Sequence, residues 1–224
     1  MQNKKALIVG NGERPAKKLF DFFMQDKPLL LCADGGANTA VEYGYGPDFI
    51  VGDFDSVRAE NKAGVPSARL ILVDEDSTGT DMQKVLNHAL DLGIEAAVLL
   101  GFTGGRIDHV LHNLSLLKTF ENELGLRLVD DYCDIRLIGR RIRFRAPLGL
   151  KLSLCPLTGP VEGIETTGLR FPLNGEQLMP GIRDGISNEV VAGLVEIKVG
   201  EGDLLLCLHR EHGVETDSVV MLDF

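Results

Sequence analysis

The chain has no tryptophan, so no indole platform for a stacked ligand is available to it. Cysteine is sparse: Cys32, Cys133, Cys155 and Cys207 are all there is. No two of them form a Cys-x-x-Cys pair, which removes thiolate metal sites. A chain of this length also needs no disulfide framework, so the thiols are expected to be reduced. Basic residues are in deficit, with 23 Lys and Arg against 33 Asp and Glu and a net charge of −10. That excludes the basic footprint of a nucleic-acid binder and requires any phosphate site to be built locally. No run approaches the ~18 apolar residues of a membrane helix. The first apolar run, Ala6–Val9, is too short for a signal-peptide core. The expectation is a cytoplasmic protein with no membrane partner. Internal repeats, low-complexity linkers and the Gly-x4-Gly-Lys-Ser/Thr loop are all missing.

What is present is enough apolar residue, 44%, for a sizeable core, in an order that alternates. Short apolar runs at Ala6–Val9, Leu29–Ala33, Phe49–Val51, Leu70–Val73, Ala96–Leu100 and Leu126–Val129 predict strands. Between them, amphipathic periodicity predicts helices near Ala16–Met24, Asn38–Tyr43, Thr80–Leu92 and Asp108–Leu124. In the last of these Leu111, Leu114, Leu117 and Leu124 form the apolar face. Strand–helix alternation means a mainly parallel sheet flanked by helices. After about Asp131 the texture changes to short β-like runs punctuated by Pro and Gly: Ile135–Ile138, Ile142–Phe144, Leu150–Leu154, Val190–Val191, Val195–Val199 and Leu204–Leu208. The expected organisation is an α/β domain over residues 1–131 and an all-β sandwich over 132–224.

Chemistry-bearing residues gather where the predicted strands end, the edge at which open α/β sheets bind ligands. Asp53 and Asp55 flank Phe54 directly after a strand. Carboxylates at i and i+2 can face one pocket, and like charges that close call for a cation. Mg²⁺ suits them, since it takes carboxylates, water and phosphate oxygens. Helix or turn capping is the plainer role for either. Asp81 follows Thr80 at a helix start, where it caps the helix or joins the same cluster. Asp34-Gly35-Gly36 after the second strand allows close approach of a ligand to backbone. Gly101-Phe102-Thr103-Gly104-Gly105-Arg106 lies between a strand and a helix. Its N–H groups and Arg106 suit phosphate, and Asp108 caps the helix, orients Arg106 or joins the metal. A tight strand-to-helix turn is the plainer alternative. His109 and His112 lack a third zinc ligand and are read as ordinary polar residues. Gly185-Ile186-Ser187-Asn188-Glu189, on its residues alone, reads as a loop with a β-turn.

Taken in order, these motifs resemble those of the thiamine pyrophosphokinase family. The resemblance is carried by Ala33-Asp34-Gly35-Gly36-Ala37-Asn38, Gly52-Asp53-Phe54-Asp55-Ser56, Thr80-Asp81, Gly104-Gly105-Arg106-Ile107-Asp108-His109 with Asn113, Thr167-Gly168-Leu169-Arg170-Phe171-Pro172-Leu173 and Ser187-Asn188. It implies ATP-dependent pyrophosphoryl transfer to the primary hydroxyl of thiamine, by a homodimer with its active sites at the subunit interface. It further implies Asp53, Asp55 and Asp81 as Mg²⁺ ligands and catalytic work for Asp55, Asp81, Arg106 and Asp108. ATP would meet Asp34, Gly35, Gly36, Gly104, Gly105 and Arg106. Ser187 and Asn188 would contact thiamine, overriding the plain turn reading. The chain departs from the family pattern in a longer acidic stretch, Asp74–Gly79, and in having no Trp to stack on thiamine, for which Phe171 is the candidate substitute. The rival readings are a pyrophosphokinase for another hydroxymethyl heterocycle, such as a pterin, and a non-catalytic thiamine- or nucleotide-binding module.

Overall fold

The computed structural model describes residues 4–63, 69–73, 79–210 and 219–223. Of the acidic stretch Asp74–Gly79, residues 74–78 lie outside them. The chain divides into two compact units, the first ending at Asp131 and the second beginning at Tyr132.

In the first unit the elements run β1 (Lys5–Val9), α1 (Lys17–Met24), β2 (Leu29–Ala33), α2 (Gly36–Glu42), β3 (Phe49–Gly52), α3 (Ala59–Ala63), β4 (Arg69–Leu72), α4 (Asp81–Asp91), β5 (Ala96–Leu100), α5 (Ile107–Thr119) and β6 (Gly125–Val129). The strands pair in the order β6-β5-β1-β2-β3-β4, every pair parallel. Leu7, Val9, Leu30 and Cys32 pack with Phe20, Ala37 and Ala40 on one face of the sheet. Ile8 and Leu31, pointing the other way, are just as buried. Both faces are therefore covered, as a parallel sheet requires. Chain order reverses between β1 and β5, the switch point where such sheets open a crevice.

The forecast of this half holds for every strand, with helix ends displaced. The helix forecast to Leu124 stops at Thr119, and Leu111 is 62% exposed rather than part of an apolar face. Leu124 is buried after a short turn instead. α2 starts at Gly36, earlier than its apolar periodicity suggests, because Gly36 itself is packed against β1. Periodicity gave no signal for the five-residue α3.

The second unit contains β7 (Cys133–Ile138), β8 (Arg141–Arg145), β9 (Lys151–Pro156), β10 (Val161–Thr167), β11 (Asn174–Leu178), β12 (Gly185–Glu189), β13 (Leu194–Lys198), β14 (Leu204–His209) and β15 (Val220–Asp223). β12-β9-β14-β7 form one antiparallel layer and β11-β10-β13-β8-β15 the other. Leu152, Leu154, Leu204, Leu206 and Leu208 from the first layer and Phe144, Ile164, Val195 and Ile197 from the second share one core. Two sheets with alternate residues turned inward make a sandwich. Residues 185–189, read from composition as a loop, are strand β12. The polar sequence conceals it because Ser187 and its neighbours sit in a bulge rather than in regular alternation.

Candidate functional site

The site of the first unit begins with Gly36. A Cβ placed there would lie 2.1 Å from the Val9 carbonyl oxygen. Only glycine lets the start of α2 come this close to the end of β1. The residue before the Gly35-Gly36 pair, Asp34, adopts a left-handed backbone with φ of 40°. Its N–H donates to Val51 O at 2.9 Å, so β3 fixes the turn. Its carboxylate is held inward, with the residue only 3% exposed.

Asp53 and Asp55 reach the same place by a route strand alternation does not describe. β3 ends at Gly52. Phe54 between them is left-handed, with φ of 68°, so a tight loop gathers the two carboxylates. Asp53 Oδ1 accepts from the Asp55 N–H at 3.2 Å, and Asp55 Oδ1 accepts from Ser56 Oγ at 2.8 Å. Ser56 N–H donates to Asp34 Oδ2 at 3.2 Å, which ties the loop to the second strand's turn. Asn38 secures the other side. Its Nδ2 donates to Ser56 O at 2.9 Å, while its Oδ1 accepts from Arg58 N at 3.0 Å and Asn61 Nδ2 at 2.8 Å.

The result is three carboxylates, Asp34, Asp53 and Asp55, each offering an oxygen within 4.8 Å of the others. Asp34 Oδ1 is buried and has no hydrogen-bond partner among the described residues. Burial first, and the adjoining Asp55 carboxyl second, push the Asp34 carboxyl above its usual range. Asp55 is held below it by its hydrogen bonds to Ser56. An orphaned carboxylate oxygen in an all-oxygen donor set is what a hard divalent cation such as Mg²⁺ would satisfy. Sequence reasoning put Asp34 at the nucleotide and Asp81 with the metal pair. The structure puts Asp34 in the mutual cluster. Asp81 stands outside that group at the first residue of α4, with Lys84 Nζ 3.8 Å away. It remains within electrostatic reach: burial raises its carboxyl, Lys84 lowers it, and Asp53 and Asp55 raise it further.

At the switch point, the loops after β1 and β5 are sewn together by Gly12 N–H to Gly101 O and Glu13 N–H to Thr103 O, both 2.7 Å. Asn113 Nδ2 donates to Phe102 O at 2.8 Å and braces the second loop from α5. Gly104 and Gly105 are both left-handed, with φ of 73° and 63°, a succession that needs glycine. Arg106 caps α5 by position, without a side-chain cap bond, and pairs with Asp108 through Nε at 3.1 Å and through Nη2. That pairing holds the Asp108 carboxyl down at about 2. Of the roles open to Asp108, orienting Arg106 is the one its contacts express.

Within the second unit, Ser187 and Asn188 behave differently from each other. Ser187 is exposed and left-handed, with φ of 60°. Asn188 is 5% exposed and its amide is occupied. Oδ1 accepts from Phe171 N at 3.1 Å and Glu189 N at 2.8 Å, and Nδ2 donates to Phe171 O at 2.7 Å. Asn188 thus clamps the backbone of Phe171, a residue 60% exposed with Arg170 Cζ 5.7 Å from its ring centroid. Sequence reasoning missed Ser153, which accepts a hydrogen bond from the β12 bulge, and His209, which hydrogen-bonds to Ser153. No local motif joins residues so far apart in the chain.

Comparison with known proteins follows the same division. The family model described as thiamin pyrophosphokinase, catalytic domain, matches residues 20–128. The one described as thiamin pyrophosphokinase, vitamin B1 binding domain, matches 141–204. A thiamine pyrophosphokinase 1 of Oryza sativa subsp. japonica is 31% identical over 205 residues, covering 79% of this chain and 77% of the relative. The Bacillus subtilis (strain 168) thiamine pyrophosphokinase is 26% identical over 204 residues, 89% of this chain and 95% of that one. Among solved structures, the thiamine pyrophosphokinase from Bacillus subtilis superposes with a TM-score of 0.82 at 24% identity, over 93% of this chain and 100% of its own. The yeast enzyme gives 0.80 at 20% identity, over 93% and 87%. Both likenesses are of fold.

Proposed function

Since the chain belongs to the thiamine pyrophosphokinase family, we propose that it transfers the pyrophosphoryl group of ATP to the primary hydroxyl of thiamine, releasing thiamine diphosphate and AMP. The observation that carries this reading is the cluster of Asp34, Asp53 and Asp55 at the carboxyl edge of the parallel sheet, together with the buried, unpartnered Asp34 Oδ1. In the reaction the thiamine hydroxyl oxygen bonds to the β-phosphorus, and the bond from that phosphorus to the α,β-bridging oxygen breaks. The electrons of the broken bond leave with AMP, and the hydroxyl proton passes to solvent.

Asp34, Asp53 and Asp55 would hold Mg²⁺, with Asp81 close enough to respond to the same charge. The ion, when bound, supplies neutralisation of phosphate charge. The chain's own contribution is position and field. Gly104 and Gly105 present backbone N–H groups to the phosphates, and Arg106, oriented by Asp108, offers a planar fork for phosphate oxygens. Phosphoryl chemistry asks for little else than alignment and charge stabilisation. At the thiamine end, Ser187 offers an exposed hydroxyl and Phe171 an exposed ring. A second copy of the chain is the proposed partner, supplying that end. The compartment proposed is the cytoplasm; among the described residues no helix is long and apolar enough to cross a membrane.

The test is product identification by mass from ATP, Mg²⁺ and a panel of primary alcohols. AMP with thiamine diphosphate, abolished by EDTA, is the expected outcome. AMP formed only with another hydroxymethyl heterocycle would replace the substrate. ATP binding without AMP from any alcohol would favour a binding module.

A further inference from the structure

β12 pairs with β9 through Gly185 opposite Leu154 and Asn188 opposite Leu152. Ile186 and Ser187 therefore both stand opposite Ser153, a β-bulge that takes a backbone donor out of the ladder. The lost donor is recovered by a side chain. Ser187 N–H donates to Ser153 Oγ at 3.0 Å. Ser153 is 4% exposed, and its hydroxyl lies 3.0 Å from His209 Nε2. The two belong to neighbouring strands, with Ser153 opposite Cys207, two residues before His209. Both project from the face of β9 and β14 opposite Leu152 and Leu154, which line the core. Ser187 carries the positive φ that L-residues with side chains avoid. A strained residue persists only where its surroundings over-determine it, and here the surroundings are a hydroxyl braced by an imidazole.

We infer that Ser153, backed by His209, is a positioning residue for the thiamine end of the reaction: it holds Ser187 in the left-handed bulge that presents the Ser187 hydroxyl outward. The inference rests on the reading above that Ser187 meets thiamine. It assigns Ser153 no contact with substrate. Its effect passes through one hydrogen bond, so it falls on thiamine binding and leaves ATP untouched.

The experiment is a double-mutant cycle in the full chain, with steady-state kinetics for both substrates and amide exchange at residue 187. Ser153→Ala is expected to raise KM for thiamine roughly tenfold, with kcat and KM for ATP within about twofold. The Ser187 amide loses protection in the same variant. His209→Ala moves the same parameter in the same direction, by less. Ser187→Gly removes the hydroxyl but tolerates the positive φ unaided, so adding Ser153→Ala to it should cost nothing further. Additive effects, or an equal rise in KM for ATP, would overturn the inference. So would a wild-type thiamine KM in Ser153→Ala alongside a raised one in Ser187→Gly, and that result would leave the thiamine reading standing. A wild-type thiamine KM in Ser187→Gly would remove the thiamine reading and this inference with it.

Discussion

Replacing Asn188 by alanine separates two jobs that the adjacent pair Ser187-Asn188 shares on a reading of the sequence but divides in the structure. The Asn188 side chain makes hydrogen bonds of 3.1 Å and 2.8 Å at Oδ1 and 2.7 Å at Nδ2. A protein hydrogen bond contributes a net ~0.5–1.5 kcal/mol, so losing these costs about 1.5–4.5 kcal/mol. At roughly 2–4 °C per kcal/mol for a chain of this size, the melting midpoint of Asn188→Ala should fall by about 3–18 °C. Phe171 loses its clamp at both backbone N–H and C=O, so its ring is no longer fixed and KM for thiamine rises. Ser187→Ala removes only an exposed hydroxyl and should leave stability within ~0.5 kcal/mol. The assay is thermal unfolding followed by fluorescence, paired with thiamine kinetics below the lower midpoint. A wild-type midpoint for Asn188→Ala would refute the reasoning, since three buried or half-buried bonds cannot vanish without consequence.

Asp34→Asn should abolish the rise in melting midpoint that Mg²⁺ gives the parent chain. In EDTA it should melt no lower than the parent, because a buried carboxylate with an unpartnered oxygen is already a burden without metal. An unchanged Mg²⁺ response would remove Asp34 from the ion's shell. Asp81→Asn should weaken that response less, and lower turnover; a larger loss than with Asp34→Asn would return Asp81 to the centre of the site. Gly36→Ala forces a methyl to within 2.1 Å of the Val9 carbonyl oxygen, and should cost ~3 kcal/mol in urea unfolding. Parent-like stability there would mean that α2 moves aside freely.

How far the sequence reveals this molecule depends on whether a feature is local. The parallel strands are legible because each is a short apolar run closed by glycine or aspartate. The sandwich is legible as a class and in β7, β8, β9, β13 and β14, whose apolar runs stand out, but not in β10, β11 and β12. β10 and β11 are mostly polar outward, and the bulge of β12 breaks the alternation that would betray it. The acids of the site are legible as residues. Their grouping is not, because it is set by left-handed turns at Asp34 and Phe54. No periodicity announces those turns, and at Phe54 the residue is a type that seldom turns that way. Strand logic alone sends Asp53 and Asp55 to one side but says nothing of Asp34, in the turn after the neighbouring strand. Ser153 and His209 are invisible for a different reason. Their connection to Ser187 runs across three strands and consists of single hydrogen bonds, and nothing in either residue's neighbours marks it.

The division of ATP between the two products tests the central claim most directly. ATP labelled at the β- and γ-phosphates is mixed with thiamine and Mg²⁺, and the label is followed into each product. Thiamine diphosphate should carry both labelled phosphates and AMP neither. Labelled ADP together with thiamine monophosphate would contradict it, because attack would then have fallen on the γ-phosphorus rather than the β.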